Sequence, residues 1–238
     1  MSKESDYWYI GRFCESKFFN KSAVKKLRTW IEGQEWKDGA ETLHVGSEWG
    51  VDKKDLKNNE EIDGTIPSEL FWTHIDENLK FKRFADPKSS SSPICSRTRK
   101  GGYYKPHFDY AKLGHFSTTI FLSDPDEYEG GELVLYLDGK EIFFKPKAGR
   151  GITYRNGIGH RVNTVTKGER LACIFWTSCN WNNLDDFFKW RYYTYMYDVK
   201  CPEITTDTLY EYFNTPHAVL RKKADDIMRN RGIQMEVD

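Results

Sequence analysis

Between residues 94 and 180 the chain breaks into short runs, "FSTTIFLS", "GELVLYL", "KEIFFKP", "GITYR", "HRVNTVT" and "RLACIFWTS", separated by Gly, Pro and Asp. Five of these six runs are rich in β-branched and aromatic residues, which fit a pleated, half-buried surface. Their close spacing leaves no room for crossover helices and predicts antiparallel strands in a sandwich or barrel. The expected fold class is mainly β with flanking helices (α+β), around a double-stranded β-helix, or jelly-roll, core.

The flanks read differently. "SAVKKLRTWIEGQ" puts Val24, Leu27, Trp30 and Ile31 on one helical face, with Ser22 as the expected N-cap and Gly33 as the stop. "TIPSELFWTHIDENLKF" starts at Thr65 and Pro67 and spaces Leu70, Phe71, Ile75 and Leu79 as a second helix. Between it and the strands, "DPKSSSSP" (86–93) predicts a flexible loop. After the strands, "LDDFFKWRYYTYMYDV" fits a helix or a strand, and "NTPHAVLRKKADDIMRNRG" predicts a final helix. With 238 residues the chain suits one domain. Its parts are 1–93 (helical support and loop), 94–180 (jelly-roll core) and 181–238 (aromatic and helical extension).

Charge and cysteine content narrow the setting. Lys+Arg and Asp+Glu are both 36, so no net positive field attracts phosphate backbones, and nucleic acid is not the expected partner. The segment "SRTRKGG" (96–102) is a local exception, and it reads equally as a solvated loop. Five cysteines without a CxxC pair argue against a disulfide framework and for a reducing, cytoplasmic location. No stretch has the apolar length needed to span a bilayer, and the N-terminus lacks a leader's apolar core.

The chemistry concentrates in "GGYYKPHFDYAKLGHF" (101–116). His107 and Asp109 are two apart, so on a strand they would project the same way and reach one ion. His160, opening a strand-like run about fifty residues later, can supply a third ligand. Two imidazoles and a carboxylate on one octahedral face leave open positions for dioxygen and a co-substrate on Fe(II). Alone, HxD is also what an aromatic-rich strand produces by chance. Ten residues after His160 stands Arg170, which in an apolar barrel needs an anion; a dicarboxylic co-substrate would reach from iron to this guanidinium. At a strand edge the same arginine would simply be solvated. His115 lacks a partner at ligand spacing, and His44, His74 and His217 fit packing or exposure. Gly130 and Gly131 are expected to serve the backbone at an abrupt strand start.

Several segments resemble the iron(II)/2-oxoglutarate dioxygenases of the prolyl 4-hydroxylase type, and more closely the PKHD-type hydroxylases: "YYKPHFDY", "FLSDPDEYEGGELVLY", "KPKAGRGITYRNGIGHRVNTVTKGERLACIFW" and, weakly, "EWKDG". The resemblance is specific over 95–178, vaguer over 20–80 and absent over the last fifty residues. It implies an Fe(II) enzyme held by His107, Asp109 and His160, with O2 and 2-oxoglutarate as co-substrates and Arg170 on the distal carboxylate. Ascorbate is expected to support it. Tyr104 and Trp176 correspond to rings on the substrate side, although both also fit core aromatics. Asp109 stands where related halogenating enzymes have a small residue, which favours hydroxylation. Two departures stand out. Thr98 replaces a tyrosine that helps hold the co-substrate in relatives, and "FSTTI" replaces "RTDLS".

The implied substrate is a prolyl residue in a peptide or protein, seated under the "KSSSS" loop. The alternatives are a small metabolite such as a free amino acid, oxidative demethylation of a nucleic acid, and a non-catalytic jelly-roll binding module.

Overall fold

The computed structural model describes residues 12–43, 53–62, 65–109, 111–137 and 139–179. By compactness the chain divides into residues 12–180 and a second unit made of 1–11 and 181–238; every described residue belongs to the first. The expectations for "LDDFFKWRYYTYMYDV", for the final helix, for His44 and for His217 lie outside the described residues.

Fourteen strands are described: β1 Phe13–Lys17, β2 Lys37–Asp38, β3 Lys57–Asn58, β4 Glu60–Ile62, β5 Pro87–Ser90, β6 Ile94–Arg99, β7 Tyr103–His107, β8 Phe116–Phe121, β9 Tyr128–Gly130, β10 Leu133–Leu137, β11 Lys140–Phe144, β12 Arg150–Arg155, β13 His160–Val162 and β14 Val165–Cys179. They form two antiparallel sheets. The larger runs β1-β12-β8-β14-β6-β4-β2, with β5 and β9 also paired to β14, and the smaller runs β11-β10-β13-β7-β3. All six predicted runs are strands, and the mainly β jelly-roll core is the observed fold. Residues before 94 contribute five of these strands as well as helices.

Alternation along β14 assigns its two faces. Phe175 is fully buried and meets Phe71, Trp72 and Phe81 at ring-centroid distances of 5.7 Å, so this face seats the helical layer. Arg170, Ile174 and Trp176, at even positions, line a cavity instead.

The helical layer departs from the sequence pattern at three points. In α1 (Lys21–Glu32), which buries Ala23, Val24, Leu27 and Ile31, the N-cap is Asn20, not Ser22; the Asn20 side chain accepts from the Ala23 N–H at 2.9 Å. Next, the single helix expected over 65–81 is three pieces: a 3-10 turn at Ser68–Leu70, then Trp72–Asp76 and Leu79–Ala85. Asn78 causes the second break. Its Oδ1 caps Phe81 N at 3.0 Å while its Nδ2 donates to Ser16 Oγ and Lys17 O, both at 3.2 Å, a set of bonds a helix-interior asparagine cannot make. Finally, the "flexible loop" is in part the edge strand β5. Ser90 lies opposite Thr177 with their hydroxyls 3.0 Å apart, and Ser91 N donates to Trp176 O at 2.8 Å. A serine run has no apolar signature, yet its backbone completes an open edge of β14.

Gly130 and Gly131 have φ of 71° and 67°, and a Cβ on Gly130 would stand 2.1 Å from Thr164 O, so only glycine fits this turn.

Candidate functional site

β7 and β13 are antiparallel neighbours, and their register sets His107 opposite His160 with ring centroids 4.1 Å apart. His107 is the last residue of β7 and Asp109 lies beyond the strand, so the two do not share a strand face as the HxD spacing suggested. The ladder stops because β13 begins at His160 and offers no further partner. The chain then turns Asp109 inward, where its Oδ1 lies 3.8 Å from His107 Nε2 and 3.7 Å from His160 Nε2. Ser117, on β8, donates from its hydroxyl to Asp109 Oδ2 and holds the carboxylate there. The three ligand atoms lie within 4.8 Å of one another, a grouping that could hold a metal ion.

The hydrogen bonds around the imidazoles set their tautomers. His107 Nδ1 lies 2.7 Å from Lys105 O and His160 Nδ1 lies 3.0 Å from Ile158 O. A carbonyl only accepts, so each neutral ring carries its proton on Nδ1 and turns the Nε2 lone pair toward Asp109. Burial lowers the His107 pKa to about 3; the neighbouring His160 pushes the same way and Asp109 opposes. His107 is therefore neutral and ready to ligate at ordinary pH. Two imidazole nitrogens and one carboxylate oxygen suit Fe(II), and more ligand positions remain than the protein fills.

Arg170 is 2% exposed, and its Nε and Nη2 have no hydrogen-bond partner among the described residues. Its guanidinium lies over the Phe121 ring at 4.9 Å, and burial lowers its pKa, offset in part by Tyr128 and Tyr154. A buried, unpaired cation is costly unless an anion joins it, and a planar carboxylate matches its fork. Thr98 is its antiparallel partner on β6 and lines the same cavity.

That cavity, of about 620 Å³, brings together every residue singled out in the sequence: Tyr104, His107, Asp109, His160, Arg170 and Trp176. Tyr104 stacks on the His107 ring at 3.5 Å and 15°, and burial, with Asp109 adding, raises its pKa well above the ordinary phenol value. Trp176 presents a buried Nε1–H without a partner. His115 takes no part; its Nδ1 accepts from Cys179 N at 3.1 Å. Sequence reasoning missed Ser117 and a buried Lys57–Glu61 pair in the cavity wall, both of which depend on pairings between distant strands. The one legible signal for Ser117 was a polar residue in a run otherwise suited to the core.

Residues 94–178 match the profile of the 2OG-Fe(II) oxygenase superfamily. A PKHD-type hydroxylase of Maricaulis maris (strain MCS10) is 36% identical over 161 residues, covering 64% of this chain and 71% of that protein. One of Thermosynechococcus vestitus is 32% identical over 166 residues, covering 64% and 71%. In fold, the chain is similar to a Pseudomonas putida prolyl-4-hydroxylase (TM-score 0.54, 19% identity, 74% of this chain and 96% of that one). It is similar to HygX of Streptomyces hygroscopicus, solved with nickel, 2-oxoglutarate and hygromycin B (TM-score 0.53, 13% identity, 76% and 88%). A prolyl hydroxylase from Trichoplax adhaerens, solved with a hypoxia inducible factor peptide fragment, also shares the fold (TM-score 0.55, 15% identity, 73% and 86%). Two imidazoles beside a fixed carboxylate, and a buried arginine whose Nε and Nη2 lack hydrogen-bond partners among the described residues, are what Fe(II) and 2-oxoglutarate require, and with that kinship the chain belongs to the PKHD-type hydroxylases, enzymes of the 2OG-Fe(II) oxygenase superfamily.

Proposed function

We propose that this enzyme hydroxylates an unactivated C–H bond of a prolyl residue in a peptide or protein, converting 2-oxoglutarate and O2 to succinate and CO2. The observation that carries it is the convergence on one cavity of His107, Asp109 and His160 with Arg170, whose Nε and Nη2 have no hydrogen-bond partner among the described residues. His107 Nε2, His160 Nε2 and an Asp109 oxygen hold the iron. When bound, the iron with its co-substrates supplies the oxidant that turns C–H into C–OH. The residues of the chain do the placing. Arg170 pairs with the distal carboxylate of 2-oxoglutarate. Ser117 keeps Asp109 aimed, and the Lys105 and Ile158 carbonyls keep both imidazoles in the ligating tautomer. Tyr104 and Trp176 form the substrate side, where a compact, apolar proline ring suits aromatic walls.

Hydroxylation of a small metabolite is the second reading, and one observation favours it: β5 is paired to β14 through Ser90, so much of the segment expected to close over an extended chain is already committed. Turnover with blocked proline peptides and with free amino acids, read as succinate formed and one oxygen gained, separates the two. A peptide product supports the proposal, and product from the free amino acid alone overturns it.

A further inference from the structure

A second polar group lines the same cavity and has no part in holding metal or co-substrate. Residues 57–62 cross from the smaller sheet, where Lys57 pairs with Tyr104 on β7, to the larger, where Glu61 pairs with Ser96 on β6. Lys57 Nζ forms an ion pair with Glu61 Oε1 at 2.6 Å and donates to Thr42 Oγ1 at 3.0 Å, and the Lys57 and Glu61 side chains are only 7% and 5% exposed. Asn59 donates from Nδ2 to Glu61 Oε1 at 3.0 Å and to Ser96 Oγ at 2.7 Å. Thr42 Oγ1 also lies 2.7 Å from Glu61 Oε2. The "EWKDG" motif backs this wall: Gly39 N donates to Asn59 O at 2.9 Å, and a Cβ on Gly39 would fall 2.0 Å from Asn59 Oδ1.

Two features make the pair more than a packing device. Burying an ion pair yields little or no net stability relative to apolar residues of the same volume, so fold stability does not account for it. An ammonium also has three N–H donors; the Glu61 carboxylate and the Thr42 hydroxyl engage at most two, and beyond them Nζ meets only the Tyr104 ring, 5.0 Å from its centre, among the described residues. That ring stacks on His107, so the unspent donor lies one aromatic ring from a metal ligand.

We infer that Lys57 is a specificity-determining residue that donates this third N–H to a peptide carbonyl of the substrate lying over Tyr104. A neutral carbonyl fits better than a carboxylate because Glu61 already balances the ammonium, and a second anion would be placed beside it. This rests on the prolyl-peptide reading above.

The test uses the double variant Lys57→Met/Glu61→Gln, which removes the donor without stranding a buried carboxylate, with Glu61→Gln alone as the partner that keeps Lys57. Anaerobic enzyme loaded with Fe(II) and 2-oxoglutarate is titrated calorimetrically with acetyl-Ala-Pro-Ala-amide and with free L-proline. The expected result is a loss of at least about tenfold in peptide affinity for the double variant, with its 2-oxoglutarate titration and melting temperature unchanged, and peptide binding retained by Glu61→Gln, whose unbalanced buried ammonium lowers the melting temperature alone. A double variant that binds the peptide as wild type does overturns the role of Lys57 and leaves the prolyl-peptide reading intact. Equal loss of 2-oxoglutarate and peptide overturns it too, because Lys57 would then act on the assembly of the site. Wild type that does not bind the peptide defeats the prolyl-peptide reading itself.

Discussion

Each group of the proposed iron and 2-oxoglutarate site is held in a way whose disruption has a distinct signature. Ser117→Ala frees Asp109 Oδ2 without touching either histidine, so iron(II) affinity should fall about 10- to 100-fold, read by anaerobic metal titration, while the fold persists. Arg170→Met should show a change of sign: it removes a buried cation whose burial is only partly offset by Tyr128 and Tyr154, so the apo-protein melts at or above the wild-type temperature, but the rise in melting temperature that 2-oxoglutarate gives wild type disappears. His107 gives a pH effect. Its folded pKa of about 3 lies below the ordinary 6.5, so below pH 6.5 the unfolded state binds the extra proton first. Its contribution is complete above about pH 6.5 and is lost as pH falls toward 3, and denaturant unfolding of apo-protein should show a shallower acid loss for His107→Ala than for wild type. At this scale the sequence disclosed the residues whose type and spacing already imply chemistry: HxD, the late histidine and the arginine ten positions on. Ser117, Lys57 and Glu61 stayed hidden because a serine or a lysine acquires its role only from what a distant strand places opposite it.

Among the elements, β14 carries most of the architecture. It seats the helical layer on Phe175 and presents Arg170 and Trp176 to the cavity. Phe175→Ala should cost about 3–5 kcal/mol in urea unfolding, since its three aromatic neighbours cannot all close the gap. The six predicted strands were legible because β-branched and aromatic residues mark runs suited to a pleated surface. Periodicity was weaker guidance in the helices. Leu70, Phe71, Ile75 and Leu79 keep helical spacing through a segment that Asn78 breaks, because a side chain that caps one helix and ties to Ser16 outweighs the pattern. β5 was illegible for the opposite reason: its pairing uses backbone and hydroxyl groups, which leave no apolar trace.

Over the described chain, the charges of the "SRTRKGG" segment are largely paired. Arg97 lies 2.8 Å from Glu60, and Arg99 lies 3.2 Å from Glu169. The patch is thus mixed in sign, in keeping with the zero net charge. No helix of the described residues is long and apolar enough to cross a membrane. The two sheets converge on one cavity, and everything proposed for function depends on that cavity accepting iron and 2-oxoglutarate together. The measurement that tests this most directly is anaerobic titration of the purified protein with iron(II) and 2-oxoglutarate, followed by visible charge-transfer absorption, on wild type, His107→Ala and Arg170→Met. The account predicts a band in wild type, none in His107→Ala, and a requirement for at least about tenfold more 2-oxoglutarate in Arg170→Met. A wild-type protein that develops no band, or a band indifferent to both substitutions, would contradict it.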